Sequence, residues 1–136
     1  MSEVSGRIMV IDDSSTVRAI LRVGLHRAGF EVECHENGGE ALRSLEDAER
    51  QVLPDLIILD VMLPRYDGYE VVDHLKRHPA LSGIVVVMLS GRRGVLDLLK
   101  GRLAGANVYL TKPFRIDDIV RVVREQLERA RAGSRD

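Results

Sequence analysis

The chain of 136 residues lacks several features on which whole protein classes depend. It has one cysteine, Cys34, so an internal disulfide bond is excluded. Its formal net charge of −1 leaves no basic field for a phosphate backbone, so nucleic acid is not an expected partner. No run approaches the ~20 apolar residues that span a bilayer, and residues 1–7 lack the apolar stretch of a secretory signal. We therefore expect a cytoplasmic protein without membrane insertion.

Short apolar runs alternate along the chain with longer segments of helical period. The runs lie at residues 8–11, 31–35, 56–59, 84–89 and 108–110. The runs at 8–11, 56–59 and 84–89 are apolar throughout, as expected of strands buried on both faces of a sheet. Such alternation is typical of a parallel sheet covered by helices on both faces. The sequence predicts an α/β fold, a doubly wound (βα)5 domain.

The predicted helices fill the intervals between these strands. Apolar residues recur at helical spacing within residues 17–28, 41–48, 71–75, 95–103 and 116–127. Gly29 is expected to end the first helix, and Asn37-Gly38-Gly39 to form a turn. We expect one domain over residues 1–136, with a core from about 7 to 130 and a polar, frayed tail from 131 to 136.

Polar residues follow four of the predicted strands. Asp12 and Asp13 follow the first strand, Asp60 the third, Ser90 the fourth and Lys112 the fifth. Ligands of open parallel sheets bind beyond the carboxyl ends of the strands, so these side chains are expected to meet there.

This set of side chains suits the chemistry of a phosphoryl group. Three crowded carboxylates repel one another, and a hard divalent cation such as Mg²⁺ relieves that repulsion. The metal and Lys112 would neutralise phosphoryl oxygens, Ser90 would donate a hydrogen bond, and a carboxylate would attack phosphorus. Asp60 is the best candidate for the nucleophile, because it follows the central strand, whereas Asp12 and Asp13 are placed for metal binding.

Six segments together resemble the receiver domains of bacterial two-component response regulators. They are Val10-Ile11-Asp12-Asp13-Ser14, Ile58-Leu59-Asp60-Val61-Met62-Leu63-Pro64, Asp67-Gly68, Leu89-Ser90-Gly91, Gly105-Ala106 and Leu110-Thr111-Lys112-Pro113-Phe114. The resemblance covers residues 7–127 and implies the strand order 2-1-3-4-5. A finer resemblance, to the stand-alone receivers of twitching-motility and chemosensory systems, bears on the partner and not on the chemistry.

The resemblance also implies a role for each site residue. Asp60 resembles the phosphoacceptor, Asp13 a metal ligand, Asp12 a carboxylate that acts partly through water, and the backbone carbonyl of Met62 the third protein ligand. Ser90 and Tyr109 resemble the switch pair, Lys112 the lysine that contacts phosphate, and Pro113 a residue that follows a cis peptide bond.

The function implied is that of a binding switch and not of a turnover enzyme. A histidine kinase or phosphotransfer protein would supply the phosphoryl group, and the surface of the fourth helix, fifth strand and fifth helix would meet a downstream protein or a second receiver. Two alternatives are a constitutive scaffold that has lost phosphorylation and a phosphatase of the haloacid dehalogenase type. That phosphatase family has a second aspartate two residues after the nucleophile, where this chain has Met62.

Several other residues have simpler interpretations. Asp13, Ser14 and Ser15, and likewise Asp67, are suited to capping helices. His74 and His78 share a helix face but lack a third zinc ligand, so a solvated pair is favoured. Cys34 is expected to pack, and Arg92 and Arg93 to begin the fourth helix in solvent.

Overall fold

The computed structural model describes residues 5–91 and 94–133 of the chain. Five strands alternate with five helices. The elements are β1 (Arg7–Ile11), α1 (Ser15–Arg27), β2 (Glu31–His35), α2 (Gly38–Leu45), β3 (Leu56–Leu59), α3 (Gly68–Arg77), β4 (Val85–Ser90), α4 (Val95–Ala104), β5 (Val108–Thr111) and α5 (Ile116–Gly133).

The strands form one parallel sheet in the order β2-β1-β3-β4-β5. Strands β1, β3 and β4 lie inside the sheet, and their apolar residues are buried on both faces. One core cluster packs β1, β3 and β4 against α2 and α3, and a second packs them against α1 and α5. The predicted (βα)5 architecture and strand order are confirmed.

The helices begin where the sequence offers a side-chain oxygen. The Ser14 side chain accepts a hydrogen bond from the Val17 N–H, Asn37 caps α2, and Asp67 caps α3 by accepting from the Glu70 N–H. Gly29, at φ 97°, follows the end of α1 as expected. Because Ser14 caps α1, neither Asp12 nor Asp13 is needed as the cap of this helix.

Four details of the sequence prediction are wrong. Gly38 and Gly39 begin α2 and do not form a turn, because Asn37 caps the helix one residue earlier, and the helix ends at Leu45, before Ala48. Strand β4 is shifted one residue, to Val85–Ser90. Helix α5 continues to Gly133, since the Arg131 guanidinium donates to the Ser5 carbonyl and holds this end against the start of the chain.

The apolar side chains of α4 lie largely outside the core. The leucines that recur at helical spacing in this helix are exposed, with Leu99 at 49% and Leu103 at 86%. The inner face is instead made by the buried Gly101 and the half-buried Ala104, whose small size lets the helix approach the sheet. In the described part of the chain, no helix is long and apolar enough to cross a membrane.

Candidate functional site

The site lies beyond the carboxyl ends of β1 and β3. The Asp60 N–H donates to the Ile11 carbonyl at 2.9 Å, so Asp60 follows β3 beside the position where Asp12 follows β1. The side chains of Asp12 and Asp60 are buried, whereas Asp13 is exposed. One carboxylate oxygen from each of Asp12, Asp13 and Asp60 lies within 4.8 Å of the other two. The predicted acidic cluster is therefore formed.

Lys112 brings a positive charge to this cluster from the end of β5. Its Nζ lies 2.9 Å from Asp12 Oδ2 and 3.1 Å from Asp60 Oδ2. Burial alone would lower the pKa of Lys112, but the hydrogen bonds and negative charges of the two carboxylates outweigh burial and raise it. The ammonium group therefore remains protonated and bridges two aspartates that would otherwise repel each other.

Each buried carboxylate is oriented by the backbone just after it. Asp12 Oδ1 accepts from the Ser14 N–H at 2.9 Å, and Asp60 Oδ1 accepts from the Met62 N–H at 3.0 Å. These short loops leave the second oxygen of each aspartate for Lys112. Burial raises the pKa of Asp12, and the Ser14 N–H and Lys112 oppose that rise.

Two residues that the sequence did not single out by themselves support this arrangement. Arg18 donates from its guanidinium to the Asp12 carbonyl at 2.7 Å, which ties α1 to the turn that carries Asp12. Gly68 lies against the Asp60 backbone, where a Cβ atom would be 2.5 Å from the Asp60 carbonyl oxygen. Arg18 lies in the first turn of α1, a position from which a long side chain reaches back to the helix start. No local feature of the sequence indicates the contact of Gly68 with Asp60.

Ser90 and the Lys112–Pro113 bond adjoin the acidic cluster. Ser90 ends β4 and is fully buried, and its carbonyl accepts from the Lys112 N–H at 2.7 Å. The peptide bond between Lys112 and Pro113 is cis, as predicted. In the sheet register Ser90 is paired with Thr111, the residue before Lys112. The Ser90 hydroxyl and the Lys112 ammonium group therefore lie at the ends of neighbouring strands.

Comparison with known proteins decides the family. Residues 8–124 match the family model described as the response regulator receiver domain. The chain belongs to that family. It is thus a receiver domain of two-component signal transduction, and the resemblance read from its motifs is confirmed.

The relatives of this receiver differ in length. Protein PilG of Pseudomonas aeruginosa is 36% identical over 118 residues, which are 87% of this chain and 84% of PilG. The transcriptional regulatory protein PrrA of Mycobacterium tuberculosis is 41% identical over 125 residues, which are 92% of this chain but 51% of PrrA. The chain spans about half the length of PrrA and most of the length of PilG.

Solved structures agree with the fold. The chemotaxis protein CheY4 of Vibrio cholerae is 28% identical with a TM-score of 0.79, covering 88% of this receiver and 96% of that chain. A CheY-like receiver domain protein from Methanospirillum hungatei has a TM-score of 0.84 at 24% identity, covering 93% and 97% of the two chains, and supports the fold alone.

The donor set of this receiver fits a magnesium ion. Carboxylate oxygens are the ligands that hard divalent cations prefer, and three of them converge here. The exposed position of Asp13 leaves one side of the cluster open to solvent, which suits an ion that keeps several waters. The Met62 carbonyl, predicted as a further ligand, belongs to the loop whose N–H orients Asp60.

The remaining candidate residues lie outside the acidic cluster. Tyr109 is half-buried and faces α4. His74 bonds to Glu46, the residue after α2, and His78 Nδ1 accepts from the Ala80 N–H at 3.3 Å, so the two partly exposed histidines have different hydrogen-bond partners. Cys34 is a free thiol that packs against the core, as expected. The expectation for Arg92 and Arg93 lies outside the described residues.

Proposed function

We propose that this receiver accepts a phosphoryl group on Asp60 in the presence of Mg²⁺, from a histidine kinase or phosphotransfer protein in the cytoplasm. The observation that supports this most directly is the contact of one half-buried cation, Lys112, with both Asp12 and Asp60 beside an exposed third carboxylate. A Mg²⁺ ion held by Asp12, Asp13, Asp60 and the Met62 carbonyl would stabilise negative charge on the transferred group.

The transfer exchanges one phosphorus bond for another. An Asp60 carboxylate oxygen forms a bond to phosphorus as the phosphorus–nitrogen bond of the donor's phosphohistidine breaks, and the imidazole leaves with the bonding electron pair. Lys112 is placed to bind an oxygen of the phosphoryl group on Asp60, because its ammonium group already contacts the Asp60 carboxylate. Ser90 lies on the neighbouring strand end and would donate its hydroxyl proton to a second oxygen.

The chain then acts as a switch and not as a turnover enzyme. Hydrolysis returns the carboxylate when water attacks phosphorus, so the domain catalyses only its own phosphorylation and dephosphorylation. The chain has Met62 where phosphatases with an aspartyl nucleophile have their acid–base aspartate.

A direct test uses a small phosphodonor. The protein is incubated with Mg²⁺ and acetyl phosphate, and the hydroxylamine-labile adduct is measured. We expect the adduct in the natural chain and in Asp67→Asn, which keeps an oxygen to cap α3, and none in Asp60→Asn. An undiminished adduct in Asp60→Asn would contradict the assignment.

We further propose that α4, β5 and α5 form the output surface. Exposed Leu99 and Leu103 lie on α4, and a groove of about 430 Å³ separates this helix from β5. The groove is lined by Leu98, Leu99, Arg102, Ala106, Asn107, Val108 and Tyr109. A downstream protein or a second receiver would cover these apolar side chains.

The output surface is tested by amide chemical shifts with and without beryllofluoride, a mimic of the phosphoryl group. We expect the largest changes between residues 90 and 121. Changes confined to α1 and α2, with that stretch silent, would place the output elsewhere.

A further inference from the structure

Tyr69, in the first turn of α3, is bound to α4 through its hydroxyl group. The hydroxyl donates to the Asp97 carbonyl at 3.2 Å and approaches Asp97 Oδ1 at 3.4 Å. Lys100, one turn further along α4, places its Nζ 5.8 Å from the centre of the Tyr69 ring. Tyr69 is thus held by Asp97 and Lys100 of α4, the helix that follows β4 and its last residue, Ser90.

The same tyrosine interacts with the predicted switch residue. Tyr69 and Tyr109 of β5 pack against the same core cluster. Burial first, then the interaction with Tyr109 and then the neighbouring Asp97 raise the pKa of Tyr69, so its hydroxyl keeps the proton that it donates. Tyr69 therefore contacts two elements, α4 and β5, that are separated in the chain.

The position of the Tyr109 ring shows which way it is turned. A Cβ atom at Gly101 would lie 2.9 Å from Tyr109 Cδ2 and 3.3 Å from Met88 Sδ, so the ring lies beneath α4 and close to β4. Its side chain also reaches Tyr69 on α3, which is inward from the edge strand β5. The ring is turned inward, and Gly101 makes the space for it.

We propose that Tyr69 is a positioning residue for the switch: it holds Tyr109 in the inward orientation and ties that orientation to the first turn of α4. The inference rests on the proposed function and on the resemblance of Ser90 and Tyr109 to a switch pair: we expect phosphorylation to favour an inward Tyr109. If Tyr109 turned outward, the half-buried Tyr69 side chain would lose this neighbour. A shift of Asp97 would disturb the same hydroxyl. The movement of α4 and the rotation of Tyr109 are therefore coupled through one side chain.

A simpler interpretation is that Tyr69 only fills space between α3 and α4. Tyr69→Phe separates the two, because phenylalanine keeps the ring, its packing and its position under Lys100 but removes the hydroxyl. Tyr66→Phe is the matched control: Tyr66 lies two residues before α3 and faces Gly38 of α2, away from α4. If packing were the whole role, both variants would behave like the natural chain.

The first measurement uses no phosphoryl mimic. In protein with labelled tyrosine and glycine, nuclear Overhauser contacts between the Tyr109 ring and the Gly101 α protons report the inward orientation. We expect these contacts in the natural chain and in Tyr66→Phe, and a clear loss in Tyr69→Phe. Contacts of equal strength in all three proteins would overturn the proposal.

The second measurement is the apparent affinity for beryllofluoride with Mg²⁺. Removing the hydroxyl that ties Tyr69 to α4 should weaken this affinity about fivefold in Tyr69→Phe, and Tyr66→Phe should be unchanged. Equal affinities would overturn the coupling. If the natural chain formed no adduct with acetyl phosphate and did not respond to beryllofluoride, the proposed function would fail, while the ring contacts would still decide the role of Tyr69.

Discussion

Gly68 and Asp60 are packed so closely that a side chain at position 68 has no room. A Cβ atom there would lie 2.5 Å from the Asp60 carbonyl oxygen and 2.8 Å from the Val61 Cα. Both neighbours are backbone atoms, which cannot rotate away. The first residue of α3 therefore sets how near the helix lies to the strand end that carries Asp60.

Gly68→Ala should lower the free energy of unfolding by about 2 kcal/mol or more, because α3 or the Asp60 loop must move to relieve the overlap. The yield of the Asp60 adduct should fall with it. Urea unfolding and acetyl phosphate labelling measure the two effects. Gly83→Ala is the control, since a Cβ atom at Gly83 would meet no heavy atom within 4 Å. A Gly68→Ala protein as stable as this control would contradict the packing argument.

Lys112→Ala should uncouple activation from metal binding. Lys112 now contacts the two carboxylates that a metal would use, so its removal frees both of them. We expect the affinity for Mg²⁺ to be unchanged or higher, and the chemical shift response to beryllofluoride to be lost. The exposed Arg115→Ala, three residues further on, controls for the loss of a positive charge. A full response in Lys112→Ala would show that this lysine is not needed to sense the phosphoryl group.

The loop residue Met62 should prolong the life of the phosphorylated form. Met62 is 55% exposed beside Asp60, where an apolar group hinders an attacking water. Met62 and Arg92, the latter outside the described residues, resemble the two variable positions that flank this water in receivers. Replacing Met62 with Asn and Arg92 with Glu should speed loss of the acyl phosphate several-fold. The decay of the labelled adduct in Mg²⁺ measures the rate, and an unaltered decay would refute the shielding by these side chains.

Acid should weaken the fold through Glu33 on the edge strand β2. Two hydrogen bonds from Arg50, at 2.6 and 3.2 Å, hold the pKa of Glu33 at about 2, below its ordinary 4.5. A carboxyl with a depressed pKa stabilises the fold above its unfolded-state pKa, and that stability is lost as pH falls from about 4.5 to about 2. Because the Glu33 side chain is 39% exposed, solvent screening limits the effect to about 1 kcal/mol.

Urea unfolding at about pH 6 and at about pH 3 checks this prediction, since the two values bracket much of the change. Glu33→Gln should lose about 1 kcal/mol at the higher pH and roughly half of that or less at the lower. Glu31→Gln, on the same strand, removes a surface ion pair with Arg7 and should change little at either pH. Equal losses in Glu33→Gln at both values would show that the charge of Glu33 does not matter.

Much of the fold follows from the order of residues alone. Apolar runs such as 56–59 and 84–89 have no polar face, which is typical of strands that are buried on both sides and covered by helices. Once the strands are parallel, residues that follow them meet at one edge. For that reason Asp12, Asp60 and Lys112 could be assigned to one site before their distances were known.

The boundaries and the faces of the outer elements followed less closely from the sequence. The periodicity of residues 95–103 predicted helix α4 but not which of its residues meet the sheet, and the structure turns Leu99 and Leu103 outward. Helical spacing shows that residues share a face and does not show which face meets the sheet. Here Gly101 decides it, because the Tyr109 ring occupies the place that a larger side chain would need.

The sequence by itself determined the strand order, through family resemblance, and the chemical groups at the sheet edge, because both depend on local pattern and on the direction of the strands. Only the tertiary structure decided that Lys112 contacts Asp12 and Asp60 together, that Gly68 touches the Asp60 backbone, and that Tyr69 joins Tyr109 to α4. Residues 69 and 109 are far apart in the chain, and no periodicity relates them. Their contact exists because α3, α4 and β5 pack around one small residue, Gly101, and such packing depends on the shapes of all three elements at once.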